Sequence, residues 1–142
     1  METKMIVSNK KLKVNNPEKV YNLIKALLDN EPNGHEVEHF YSIGVNNKNV
    51  VQYIDLISLG TVNETLTHPR EVFKNAIRNN CTAVIVAHNH PSGDVTPSTD
   101  DILTAERLIK AGKILGIPVH DNLIVSQYQY KSFKEHFVVS FE

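Results

Sequence analysis

Apolar residues at the three- and four-residue spacing of one helix face form the first clear pattern in the chain. Val20, Leu23, Ile24, Leu27 and Leu28 make that stripe, Asn16 precedes it as a cap and Pro17 suits its first turn. The acidic, turn-forming run Asp29-Asn30-Glu31-Pro32-Asn33-Gly34 ends it. Two β-rich stretches, residues 38–45 and 50–59, then flank Asn46-Asn47-Lys48-Asn49 and predict a hairpin. Pro69 opens a second helix with Val72, Phe73, Ala76 and Ile77 on one side, closed by Asn79-Asn80. Residues 82–87 are apolar without alternation, as a central strand covered on both faces requires. A polar loop over 89–97 follows. A third helix starts near Ser98, carries Ile102, Ala105, Leu108, Ile109 and Leu115, and stops at Gly116 and Pro118. Residues 118–125 read as a late strand, and the tail over 128–141 as a further one. This order predicts a single α/β domain over 1–142, with a mixed sheet and helices on both faces.

Composition narrows the classes of function. With 142 residues, 41% hydrophobic and 22% charged, the chain has the makeup of an ordinary globular domain. Fifteen Lys and Arg against sixteen Asp and Glu leave a net charge of −1, which argues against broad binding to a phosphate backbone. The short basic cluster Lys10, Lys11 and Lys13 reads as solvated surface, with a weak nucleic-acid contact as the sharper alternative. The longest apolar run, Ala83-Val84-Ile85-Val86-Ala87, is far short of a membrane span, and the N-terminus does not read as a signal peptide. A cytoplasmic protein is expected. One cysteine, Cys81, excludes a disulfide framework or a cysteine-cluster zinc site, and it reads as a small core residue. Any metal must therefore be held by histidine and carboxylate.

Those residue types concentrate at the end of the apolar strand, in Ala87-His88-Asn89-His90-Pro91-Ser92-Gly93-Asp94-Val95-Thr96-Pro97-Ser98-Thr99-Asp100-Asp101. In extended backbone, His88 and His90 project to one side. Pro91 keeps His90 out of helical geometry. A turn at Ser-Gly-Asp brings the next helix start beside the imidazoles, where Asp101 offers a third ligand. Two imidazoles and one carboxylate with an open fourth position describe a catalytic zinc site, in which the pKa of a bound water falls to about 7. Each part also has a plainer reading. Ser98-Thr99-Asp100-Asp101 is an acceptable capping box, and a lone His-x-His pair serves equally as polar surface.

The segment resembles the metalloprotease motif of the JAB/MPN superfamily, often called JAMM, in which His-x-His-Pro, six residues and Ser-x-x-Asp follow in order. His88, His90, Pro91, Ser98 and Asp101 match it. Pro69-Arg70-Glu71-Val72-Phe73-Lys74, together with residues 83–94, is similar to the RadC-type branch, named after a bacterial DNA-repair protein. The resemblance covers roughly residues 38–125, within a motif-bearing core of about 36–127, and implies a cytidine-deaminase-like architecture. It implies that His88, His90 and Asp101 bind Zn²⁺, that Ser98 stabilises an oxyanion, and that Glu38 is the general acid/base, with Glu36 as fallback. The expected activity is cleavage of a peptide or isopeptide amide in a peptide or protein substrate. The alternative is a DNA-repair accessory protein that contacts DNA and has a structural or vestigial metal site; a nuclease is a third reading.

Two departures qualify the resemblance. RadC-type sequences usually show Asp-His before a late strand, but here the pair is Asp121-Asn122, preceded by His120. No role is carried onto Asn122, and Asp121 and His120 are expected only to support the site. Full-length RadC proteins also carry an N-terminal helix-hairpin-helix region. With 37 residues before Glu38, that region is expected to be absent.

Overall fold

The computed structural model describes residues 4–6, 12–62 and 67–142. Lys10 and Lys11 of the basic cluster lie outside them. The elements in chain order are β1 (Lys4–Ile6), α1 (Pro17–Asp29), β2 (His39–Val45), β3 (Val51–Leu59), α2 (Pro69–Arg78), β4 (Ala83–Asn89), α3 (Thr99–Leu115), β5 (Val119–Val125) and β6 (Tyr130–Ser132). They form one mixed six-stranded sheet in the order β1-β3-β2-β4-β5-β6. Among the described residues only β4 and β5 pair in parallel, across the α3 connection. No helix among the described residues is long and apolar enough to cross a membrane.

The local chemistry of each helix end matches the sequence pattern. Asn16 caps α1 by accepting the Lys19 amide at 2.9 Å, and Pro17 takes the first turn. Gly116 ends α3 with φ 75°, a left-handed conformation that costs glycine little. The hairpin turn is held by the Asn46 side chain, which accepts from the Lys48 and Val50 amides at 2.9 and 3.0 Å.

Alternation along the strands divides the core into two layers. Tyr41, Ile43, Ile85, Ala87, Leu123 and Val125 pack beneath α1. Phe40, Val84 and Val86 pack on the opposite face, with Val72 and Phe73 of α2 and Leu108 of α3. Every residue of β2 and β4 is buried, because each strand has a strand on either side and helices above and below.

Three elements differ from the sequence pattern. β4 runs on through Asn89 into the segment expected to be loop. β1 is a three-residue edge strand, too short to show alternation. The tail is strand only over Tyr130–Ser132. Beyond it, side chains compete for the backbone: Ser132 Oγ accepts the Glu135 amide at 3.1 Å and Asp121 accepts the Lys134 amide at 3.1 Å, which turns the chain away from the sheet.

Gly44 pairs with Tyr53 across the hairpin, and a Cβ at that position would overlap the fully buried Tyr53 ring. Gly44→Ala is expected to cost about 1–3 kcal/mol by overpacking, read by urea denaturation. An unchanged midpoint would show that the ring moves aside without cost.

Candidate metal centre

The centre forms where the ends of three elements meet. β2 runs antiparallel to β4, with Phe40 opposite His88, so the start of β2 lies beside the end of β4. Beyond β4, the His90 amide donates to the Val125 carbonyl at 2.9 Å and prolongs the extended line by one residue. His88 and His90 consequently share a face, with ring centroids 5.1 Å apart. Phe40 lies against His88, ring to ring, at 5.8 Å.

Chain reversal supplies the third group. Gly93 takes φ 91°, its amide donates to the His90 carbonyl at 3.1 Å, and its carbonyl accepts from Gln129 Nε2 at 2.9 Å. The chain then enters α3 through a complete capping box: Ser98 Oγ accepts the Asp101 amide at 3.1 Å, and Asp101 Oδ2 accepts the Ser98 amide at 2.9 Å. The box fixes the Asp101 carboxylate between the two imidazoles. Its Oδ1 lies 3.1 Å from His88 Nε2 and its Oδ2 lies 3.0 Å from His90 Nε2. Capping and site-building are thus one arrangement, and Ser98, exposed at the cap, keeps its hydroxyl proton for another acceptor.

The electrostatics follow from this geometry. His90 Nδ1 donates to the Asp94 carbonyl at 2.8 Å, because a carbonyl can only accept. In the neutral ring, Nε2 then presents a lone pair to a carboxylate oxygen. That juxtaposition is stable only with a cation between them or a proton on Nε2. The hydrogen bond to Asp101 accordingly raises the His90 pKa; burial opposes it, and the Asp94 carbonyl and the charges of Asp101 and Glu38 add to it. Burial pushes the Asp101 carboxyl up, but its contacts with His88 and His90 and the Ser98 amide outweigh this and hold it well below the ordinary carboxylate range. His88 is 1% exposed, and neither ring nitrogen has a hydrogen-bond partner; at 3.1 Å its Nε2 meets Asp101 without the alignment of a hydrogen bond. A buried polar atom left unpaired costs about 1–3 kcal/mol. His88, His90 and Asp101 each offer one ligand atom, all within 4.8 Å of one another, and this group could hold a metal ion.

Glu38 sits one residue before β2. Extending the Phe40–His88 register two residues sets it opposite His90 on the same face. Its carbonyl accepts the Gly60 amide at 2.9 Å and its Oε2 accepts the Val62 amide at 2.8 Å, leaving the side chain partly exposed. Glu36 lies in the preceding turn, exposed, so the alternation that would align it with Glu38 does not apply. Asp121 and His120 do not support the centre. Asp121 points to the α1 side, where it lines a cavity with Val14 and Val20 and accepts from Ser132 Oγ at 2.5 Å. His120 lines the same cavity. Among the other histidines, His35 pairs with Asp29 and His39 donates to the Val37 carbonyl. Cys81 is buried in the core, and that burial raises its thiol pKa.

Sequence reasoning missed Asn89. Lying between the two histidines, it faces the other way and is 1% exposed. Its Oδ1 accepts the His39 amide at 2.6 Å, and its Nδ2 donates to the Gly34 and Val37 carbonyls at 3.2 and 3.1 Å. It ties the turn that leads to Glu38 onto β4. The alternation that sends His88 and His90 to one face was the signal that could have found it.

Residues 14–138 match the family model described as a RadC-like JAB domain. A UPF0758 protein of Moorella thermoacetica is 48% identical over 112 residues, covering 79% of this chain and 49% of the relative. A UPF0758 protein of Staphylococcus haemolyticus is 44% identical over 127 residues, covering 89% and 54%. One from Symbiobacterium thermophilum is 52% identical over 99 residues, covering 70% and 42%. The chain spans about half the length of these curated relatives.

Replacing the cap separates its two uses. Ser98→Ala is expected to lower stability by about 1 kcal/mol in urea denaturation of the metal-free chain, and Ser98→Asn to recover most of that loss. Equal stability of all three chains would show that the cap does not hold α3.

Proposed function

The chain belongs to the RadC-like JAB domain family, and from that premise we propose that it is a zinc-dependent hydrolase of JAMM type, cleaving a peptide or isopeptide amide. The observation that carries this reading is the Asp101 carboxylate bracketed by two imidazole nitrogens at 3.0 and 3.1 Å. Ligands about 2.0–2.2 Å from a tetrahedral zinc lie roughly 3.3 Å from one another, and one donor atom each of His88, His90 and Asp101 lies within 4.8 Å of the other two. His88 Nε2, His90 Nε2 and one Asp101 oxygen would hold the ion. When bound, zinc would supply Lewis acidity, polarising a carbonyl and lowering the pKa of a water toward 7.

The remaining steps belong to the chain. Glu38, facing His90, accepts the proton of the attacking water and delivers it to the leaving amine. Among the described residues, the Val62 amide engages Oε2, and Oε1 is the oxygen assigned to this work. The Ser98 hydroxyl accepts the Asp101 amide through a lone pair and donates a hydrogen bond to the oxyanion that develops as the amide is attacked. The Asp94 carbonyl on Nδ1 keeps His90 in the tautomer that turns a lone pair toward the ion. A cytoplasmic setting suits Cys81 as a free thiol.

Glu38→Gln is expected to retain zinc and to lose at least about 10²-fold in turnover of a fluorogenic peptide or lysine-isopeptide substrate. Turnover at the wild-type rate would remove Glu38 from this role. Salt-dependent binding of duplex DNA that survives His88→Ala and His90→Ala would favour the accessory reading instead.

A further inference from the structure

Five buried side-chain atoms lack a hydrogen-bond partner among the described residues: Asp55 Oδ1, both ring nitrogens of His88, Thr104 Oγ and Asn122 Oδ1. All but the first belong to residues on the α3 side of β4 and β5. Asp101 and Thr104 are both on the buried face of α3, one turn apart. On β5, Leu123 and Val125 pack beneath α1, whereas Ile124 packs with Ala105 of α3. Alternation therefore turns Asn122 toward α3, away from the side taken by Asp121.

We infer that Asn122 and Thr104 form the outer hydrogen-bonding shell of His88, reached from His88 Nδ1–H through one ordered water, and that they position this imidazole for its cation. The inference rests on the zinc reading above. When His88 Nε2 ligates, Nδ1 must carry the ring proton, and a buried N–H needs an acceptor. His90 already has one in the Asp94 carbonyl. On the Phe40 side His88 meets an aromatic face, which offers no comparable acceptor.

The sheet brings the proposed acceptor within range. Val86 is level with Asn122 and His88 with Ile124, so His88 and Asn122 are diagonal neighbours. Strand spacing and rise put their Cα atoms roughly 8 Å apart, a span that one ordered water closes where the two side chains do not bond to each other. Such a water would accept from His88 Nδ1–H and donate to Asn122 Oδ1 and Thr104 Oγ, giving it the three partners usual for a buried water. Asn122 and Thr104 are 1% and 2% exposed, so bulk solvent does not serve them.

Zinc affinity, measured on the full chain by competition with a chromophoric chelator, tests this without a known substrate. Asn122→Leu is expected to weaken zinc binding about 10- to 100-fold, Thr104→Val to weaken it in the same direction, and Asn122→Asp to restore it. The melting temperature of metal-free Asn122→Leu is expected to equal or exceed that of the wild type, because a buried unpaired oxygen has gone. Affinities within about twofold of wild type in both Asn122→Leu and Thr104→Val would overturn the inference, as would a loss that Asn122→Asp leaves unrepaired. A wild-type chain that takes up no zinc would instead overturn the metal reading beneath it.

Discussion

The Asp101 carboxylate joins the helix to the sheet, and the rest of the centre depends on where it is held. Its position is set twice over: from behind by the Ser98 amide in the capping box, and from in front by the two imidazoles at the end of β4. A cap alone would be satisfied by water-facing geometry. Here the capping acid is 3% exposed and its pKa is held low, which means that it stays ionised in a place where an unpaired charge would be costly. The compensating positive charge must come from the imidazoles or from an ion between them.

The sheet supplies the precision that this arrangement needs. β4 is central and buried on both faces, so neither His88 nor His90 can slip in register without sending a layer of core side chains to the wrong helix. The antiparallel pairing of β2 brings Glu38 to the same end, and Asn89 on the reverse face of β4 ties down the turn that delivers it. One strand thus uses its two faces differently: one presents the imidazoles and the other anchors the segment that carries the acid.

The helices and the hairpin were legible in the sequence because caps and periodicity agreed: Asn16, Ser98 and Gly116 mark boundaries that the structure keeps. The grouping of His88, His90 and Asp101 was also legible, because spacing in a strand and in a first helical turn fixes direction. What was not legible depends on contacts between elements distant in sequence. The sides taken by Asp121 and Asn122 follow from packing against α1 and α3 rather than from the local pattern. The final strand was legible but read too long, since beyond Ser132 the side chains of Ser132 and Asp121 divert the backbone through bonds that alternation does not reveal.

Whether His88, His90 and Asp101 together hold a zinc ion is read from the metal content of protein purified without added metal. Close to one equivalent of zinc is expected in the wild-type chain and its loss in His88→Ala, with the fold retained by circular dichroism. Wild-type protein that is free of zinc and cannot be reloaded would contradict it.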